Sequence, residues 1–431
     1  MTYSLGLDFG TTNSVFARHA SDGQLQPLGF AFEGESHNAL RTALGFWKGD
    51  ANRLHVEAGA FAIRQFIENP WDTRFLQSIK TFAASASFQG TNVFSKRYQF
   101  EDLLEAFVAR FCDYTGVDEP QRRGHVVIGR PVTFAGAHPD EQLAMQRYDT
   151  AFQRLGFERV TYVYEPVAAA FFFARALTHS AMVLVADFGG GTTDFSVVRF
   201  EVADGQVMAK PLGHGGIGIA GDHFDFRIID HVLLSRLGRG SKYDSMGKTL
   251  ELPRSPFAGF ARWNLLSVLK TSREFADLKK LLRYCHEPEK IQTFIDLVEN
   301  NEGYPLYKAV SEAKMRLSFD THTELKFPAL GEAFAARIER RDFESWIKGD
   351  LERIASVLDG TLARSGVSDG EIEKVFLTGG TSFIPAIWHM FALRFGADRI
   401  ESGDELVSVA NGLALIAGRE DCAQWGVNPR R

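Results

Sequence analysis

Asp8-Phe9-Gly10-Thr11-Thr12-Asn13 lies near the start of the chain, and Asp187-Phe188-Gly189-Gly190-Gly191-Thr192-Thr193-Asp194 repeats its theme 179 residues later. Residues 3–9 read as a strand that turns apolar, and Asn13 to Ala17 continues as a second strand. Ala181 to Ala186 is an apolar strand, Asp187 to Thr193 a Gly/Thr turn, and Asp194 to Phe200 the strand that leaves it. A strand–turn–strand unit that returns at this distance, with the same chemistry in its turn, predicts two homologous lobes.

The turns themselves point to phosphate. Phosphate oxygens need several donors at short range, and backbone N–H groups in a tight turn supply them where no Cβ blocks the approach. Gly10 and Gly189-Gly190-Gly191 meet that need, and Thr11, Thr12, Thr192 and Thr193 add hydroxyls. A carboxylate at the end of each preceding strand, Asp8 or Asp187, suits a hydrated Mg²⁺, which keeps its waters and takes few protein ligands. One such turn is a weak signal, because many hairpins carry Asp and Gly. Two in one chain, each after a strand, make a phosphate site.

The rest of the chain reads as an ordinary folded protein. Its 431 residues predict two to three domains; 45% of them are hydrophobic and 24% charged, and the net charge of −6 gives no bulk attraction to nucleic acid or anionic membrane. Cys112, Cys285 and Cys422 show no metal spacing and are expected to be buried free thiols in a reducing compartment. With no basic, apolar leader at Met1 and no apolar run near 20 residues, a cytoplasmic protein is expected. The 37 phenylalanines are assigned to cores, including the stretch 257–275.

Periodicity places helices at 102–114, from Pro139-Asp140-Glu141 to about 155, from Pro166, at 262–283, 289–299, 309–318, 342–364 and 407–417. It places strands at 125–129, 159–164 and 372–378. His214 and His223 read as loop residues rather than ligands.

At this point the motifs resemble a known family. Gly6-Leu7-Asp8-Phe9-Gly10-Thr11-Thr12-Asn13-Ser14 and Asp187 to Asp194 resemble the two phosphate loops of the seventy-kilodalton heat-shock chaperones (DnaK-type). Tyr164-Glu165-Pro166-Val167-Ala168-Ala169-Ala170, Ala220-Gly221-Asp222-His223-Phe224-Asp225, Ala313-Lys314-Met315-Arg316-Leu317-Ser318 and Phe376-Leu377-Thr378-Gly379-Gly380-Thr381-Ser382-Phe383-Ile384-Pro385 resemble further segments of that family, in family order. The whole looks like the ATPase part, similar to the short YegD-like members.

The resemblance implies an α/β, actin-like ATPase fold: two lobes with duplicated ribonuclease-H-like cores and an inserted subdomain in each. The first lobe is placed at 1–179 and 405–431 with its insertion at about 36–110. The second is placed at 180–404 with its insertion at about 226–308. It implies ATP or ADP with Mg²⁺ as ligand. Asp8 and Asp187 would position the metal through waters, and Glu165 and Asp194 would orient the attacking water. Gly10, Thr11, Thr12, Asn13, Gly189, Gly190, Gly191 and Thr192 would hold the phosphates, with Gly221 and Asp222 near the ribose or phosphates. Lys314 and Ser318 would flank the nucleoside, with Gly379 and Gly380 beneath it.

Three positions depart from the family pattern. An ungapped match puts Ile63 where the family has a catalytic lysine. Arg64 is one residue away, and a one-residue shift on a helix turns a side chain by about 100°. Lys80 is another candidate, although its ordinary reading is a surface lysine. Met315 and Phe383 stand where the family has arginines. The chain also ends soon after Asn411-Gly412-Leu413-Ala414-Leu415-Ile416, so the expectation is a nucleotide engine without its own peptide-binding domain.

The expected function is a slow ATPase of the chaperone family, with another protein as partner and no nucleic acid or membrane. The alternatives are a nucleotide-binding scaffold with little turnover and, less favoured, a small-metabolite kinase of the same superfold.

Overall fold

Antiparallel pairing of β1 (Tyr3–Phe9) with β2 (Asn13–Ala20) sets Asp8 opposite Val15 and Phe9 opposite Ser14, so the first Asp-Phe-Gly turn is a hairpin tip. The computed structural model describes residues 3–136, 138–175, 177–203, 206–261, 269–270, 272–331, 334–402 and 407–427. They divide into two compact units, one of Met1–Gly221, Arg353–Phe383 and Ile387–Arg431, the other of Asp222–Glu352 and Ile384–Ala386.

In the first unit, β3 (Leu25–Pro27) and the two-residue β4 (Leu40–Arg41) both pair with β2. A separate sheet follows, in which β5 (Ala43–Lys48) lies between β6 (Leu54–Ala58) and β7 (Arg74–Gln77), with α1 (Gly59–Glu68) in the connection. Next comes α2 (Phe100–Thr115), where Leu103, Leu104, Phe107, Val108 and Phe111 recur at helical spacing and are buried. The helix is stopped by Gly116, left-handed at φ 72°. β8 (His125–Arg130) returns to the first sheet parallel to β1. α3 (Glu141–Arg154), begun by Asp140 accepting from the Leu143 amide at 2.9 Å, leads to β9 (Arg159–Tyr164) beside β8. The strand order is β9-β8-β1-β2-β3.

α4 (Glu165–Ala174) starts with Pro166 in its first turn, where the missing amide costs nothing. The second sheet then repeats the first. β10 (Ala181–Phe188), buried along its whole length, pairs antiparallel with β11 (Thr193–Ala203), and β11 with β12 (Gln206–Ile217). β13 (Lys374–Thr378) and β14 (Ile400–Ser402) add in parallel, giving β12-β11-β10-β13-β14. In each sheet the first strand of the meander is central and carries its Asp at the penultimate position.

The second unit holds α5 (Gly221–Ile228, entered at its second residue), Pro288–Glu299, α6 (Gly303–Phe319) and the first half of α7 (Arg340–Ser365). Phe257, Phe260 and Phe275 pack their rings on Phe294 in its core. In the first unit, α8 (Ser408–Ala417) crosses α4 at backbone contact. A Cβ on Gly412 would sit 1.7 Å from the Ala168 carbonyl oxygen, so only glycine fits.

Several expectations need correction. Asp187 and Phe188 belong to β10 rather than to the turn. His214 lies on β12, not in a loop, and His223 is helical. β12 escaped notice because Pro211 and three glycines break its pattern. It is an edge strand with a register shift at Val197/Val198, which is where a sheet tolerates proline. Cys112 and Cys422 are buried free thiols, but Cys285 is only half-buried. The helix expected at 262–283 is described over Arg273–Leu281; residues 262–268 and 271 lie outside the described residues, as does part of the phenylalanine stretch 257–275. Among the described residues no helix is long and apolar enough to cross a membrane.

Candidate functional site

The first Asp-Phe-Gly turn is held from behind by hydroxyls. Thr42 donates its Oγ1 hydrogen to the Gly10 carbonyl at 2.7 Å and its amide to the Thr12 carbonyl at 2.8 Å. Having spent its one hydrogen, the Thr42 hydroxyl accepts from Ser14 Oγ at 2.9 Å. Ser78 Oγ donates to the Thr11 carbonyl at 2.9 Å, and the Ser78 amide donates to the Thr42 carbonyl at 3.0 Å. Three successive carbonyls are thus tied back, the condition for an anion site made of amide N–H groups. Asn13 opens β2 opposite Arg41.

The second turn is tied differently. The Gly189 carbonyl accepts from Thr381 Oγ1 at 2.9 Å and from the Gly221 amide at 3.3 Å, and the Gly189 amide donates to the Thr192 carbonyl at 3.0 Å. Thr193 Oγ1 donates to the Ile219 carbonyl at 2.7 Å. Gly379 and Gly380 follow β13, whose Thr378 is the ladder partner of Asp187. The two turns meet: a Cβ on Gly191 would stand 3.0 Å from Thr11 Oγ1.

Four carboxylates gather here. Glu165 opens α4, Asp194 is the second residue of β11 and the ladder partner of Asp187, and Asp8 lies near the end of β1. Asp194 Oδ1 accepts from the Val132 and Thr133 amides at 2.9 and 3.2 Å, while its Oδ2 is buried without a hydrogen-bond partner. Thr12 Oγ1 is a second buried atom without one. Burial, then the charge of Glu165, push Asp8 and Asp194 each up to about 7. The same two causes, joined by Asp8, raise Asp187 well above the carboxylate range. Among the described residues no three ligating side chains converge on a bare ion, and a hydrated magnesium needs only one or two.

The cation among these acids is Lys80. It sits in the 3₁₀ turn Ile79–Phe82 after β7, its side chain 6% exposed, with Nζ 2.6 Å from Glu165 Oε1. Burial, the largest influence, would depress its pKa, but Glu165, Tyr148 and Asp8 together outweigh that and hold the ammonium above its ordinary value. The surface reading of Lys80 is therefore overturned. Local sequence could not reveal this, since Ser78-Ile79-Lys80-Thr81 carries no motif and its burial comes from strands and helices far along the chain. Arg64 is engaged elsewhere: half-exposed, 5.3 Å over the Phe32 ring and 3.9 Å from Glu33. Arg130, 1% exposed, donates Nε to the Pro131 carbonyl and Nη2 to Glu141, bracing the segment whose amides reach Asp194.

In the second unit, Lys314 is mostly buried and pairs with Asp225 at 2.9 Å, so it too is not a solvated lysine. Ser318 lies one turn further along α6, and Met315 between them is 57% exposed. Asp222 occupies the first turn of α5.

A family model for Hsp70 protein matches residues 136–254 and 274–421. Three curated relatives, each named Chaperone protein DnaK, come from Deinococcus radiodurans, Mycoplasmopsis synoviae and Deinococcus proteolyticus. Each is 24% identical over 97% of this chain, and the alignment covers 60%, 59% and 59% of their own lengths. The chain thus spans about 60% of the length of these relatives. With the duplicated sheets, the paired turns and this match, the chain belongs to the Hsp70 family and has its actin-like ATPase fold.

Proposed function

We propose that the chain binds ATP with Mg²⁺ through its two Asp-Phe-Gly turns and hydrolyses it slowly to ADP and phosphate, as the nucleotide-driven part of a chaperone system. The observation that carries this reading is the approach of the two turns, Gly191 against Thr11, over buried polar atoms left without partners, Asp194 Oδ2 and Thr12 Oγ1. Such atoms cost free energy unless a ligand or its waters satisfy them. The donor set also fits. The turns offer amides and hydroxyls to phosphate oxygens, and Asp8 and Asp187 offer carboxylates to a metal's waters. A bound magnesium would neutralise phosphate charge, and Asp8, Asp187 and Asp194, whose acidity is weakened by burial and by neighbouring carboxylates, gain from the same ion.

Glu165 and Asp194 are the acids assigned to the attacking water. Change between nucleotide states would act on another protein through differential affinity for the two states. The relatives' name supports a client or co-chaperone-like partner.

Binding with little turnover is the second reading, favoured by Ile63 at the family's lysine position. A single-turnover assay with labelled ATP and Mg²⁺ separates the two. Release of phosphate supports hydrolysis; saturable binding with no release over hours supports the scaffold. Failure to bind either nucleotide sinks both.

A further inference from the structure

Ile63 leaves the family's catalytic-lysine position on α1 without a charge, and Arg64 beside it faces Phe32 and Glu33. The buried ammonium among the four acids comes instead from the turn that follows β7. Burying a lysine and a glutamate together is expensive, and apolar residues of similar size often serve stability as well or better. A pair kept at such a place calls for a use beyond folding.

The turn is also built to hold position. Ser78, which precedes it, is 0% exposed and adopts a left-handed backbone at φ 48°, ψ 38°, a strained conformation for a residue with a side chain. It is held there by its bonds to Thr11 and Thr42, and its own carbonyl accepts from the amide and hydroxyl of Thr81. The chain from Ser78 to Thr81 is therefore fastened to the first phosphate turn itself. The ammonium uses one bond on Glu165, which leaves donor capacity on Nζ.

We propose that Lys80 is the catalytic cation of this chain, meeting the terminal phosphate oxygens in place of the α1 lysine, and that Ser78 is a positioning residue that fixes Lys80 to the first phosphate turn. This rests on the ATP-binding reading above. Lys80 then distinguishes a nucleoside triphosphate from a diphosphate, because only the former presents a terminal phosphate to the ammonium. Contact with phosphate draws Nζ from Glu165 and frees that carboxylate to accept from water.

The test measures dissociation constants for Mg·ADP and for a non-hydrolysable Mg·ATP analogue, the single-turnover rate and the melting temperature. It uses the full chain and its Lys80→Met, Lys80→Met/Glu165→Gln, Ser78→Ala and Ser78→Gly variants. The double variant removes both buried charges, so it reports if Lys80→Met alone misfolds. Loss of Lys80 is expected to leave ADP affinity within about threefold while the preference for the triphosphate analogue falls by about tenfold or more. Turnover falls by about 10²- to 10³-fold. Ser78→Ala and Ser78→Gly both lower turnover and triphosphate preference, because each removes the hydroxyl, and glycine does so while accepting the left-handed backbone without strain. Unchanged triphosphate preference in the two Lys80 variants overturns the assignment. An unmodified chain that binds no ADP overturns the function reading first and the Lys80 assignment with it, so the two failures are told apart.

Discussion

The two sheets of the first unit share one plan but not one set of supports. Both place a central strand between an antiparallel meander and two parallel strands, and both carry an Asp next to that strand's end. Around the first turn the ties are hydroxyls from Thr42, Ser14 and Ser78, and the nearby core is aromatic, with Phe9, Phe107 and Tyr148 ring to ring. Around the second, three glycines and the Thr381 hydroxyl do the work, while Phe188 meets Phe195 and Phe391 edge to face, so the aromatic packing is shared and the ties are not. A repeat preserves the scaffold that aims two turns at one place. The buried ion pair beside the turns comes from residues outside the repeat: Lys80 from the turn after β7 and Glu165 from the start of α4.

The largest test of that contrast is Asp187→Asn. If the second turn positions magnesium, turnover falls by about 10²- to 10³-fold, equivalent to about 3–4 kcal/mol, with melting little changed. Undiminished rates at saturating Mg²⁺ would show that the two Asp residues share geometry without sharing a role.

A second test uses His214, which belongs to the second sheet alone and has no charged counterpart in the first. Its Nδ1 lies 2.6 Å from Ser196 Oγ, and burial depresses it to about 4. A folded-state pKa below the unfolded value near 6.5 means that the unfolded chain binds the proton first. Stability is then lost as pH falls from about 6.5 to about 4, by about 2–3 kcal/mol. Denaturant titrations across that range should show the loss, and His214→Gln should flatten it. An unchanged slope in the variant would assign the acid limb to other groups.

Smaller effects separate the two sets of ties. Ser78→Ala removes the bond to Thr11 and leaves that carbonyl unpaired, for about 1–2 kcal/mol by chemical denaturation. Thr381→Val removes one of two donors to Gly189, and the Gly221 amide remains, so about 1 kcal/mol or less is expected. Equal losses would mean that the first turn is no more dependent on its hydroxyls than the second.

Much of this organisation was legible in the sequence because it is local. The Asp-Phe-Gly turns, the Pro166 helix start and the stripe on α2 announce themselves within a few residues, and the distance between the turns exposes the duplication. β12 was not legible, since an edge strand can carry Pro211 and glycines that a central strand could not. Lys80 stood only as a candidate, with a surface lysine as its favoured reading, for a deeper reason. Whether a lysine is solvated or buried on a glutamate 85 positions away depends on tertiary burial, and no period or motif around Ser78 encodes it. Ile63 marked only a missing charge at the family's lysine position and pointed to no other residue. The same holds for Lys314, whose burial against Asp225 needs a helix 89 residues earlier in the chain.

The central claim is that both turns serve one nucleotide, and titration calorimetry of the purified chain with Mg·ADP tests it most directly. The account predicts saturable binding at one site per chain, greatly weakened by Asp8→Asn alone and by Asp187→Asn alone, in variants that melt as the unmodified chain does. No binding up to millimolar nucleotide, or binding that survives both substitutions together, would contradict it.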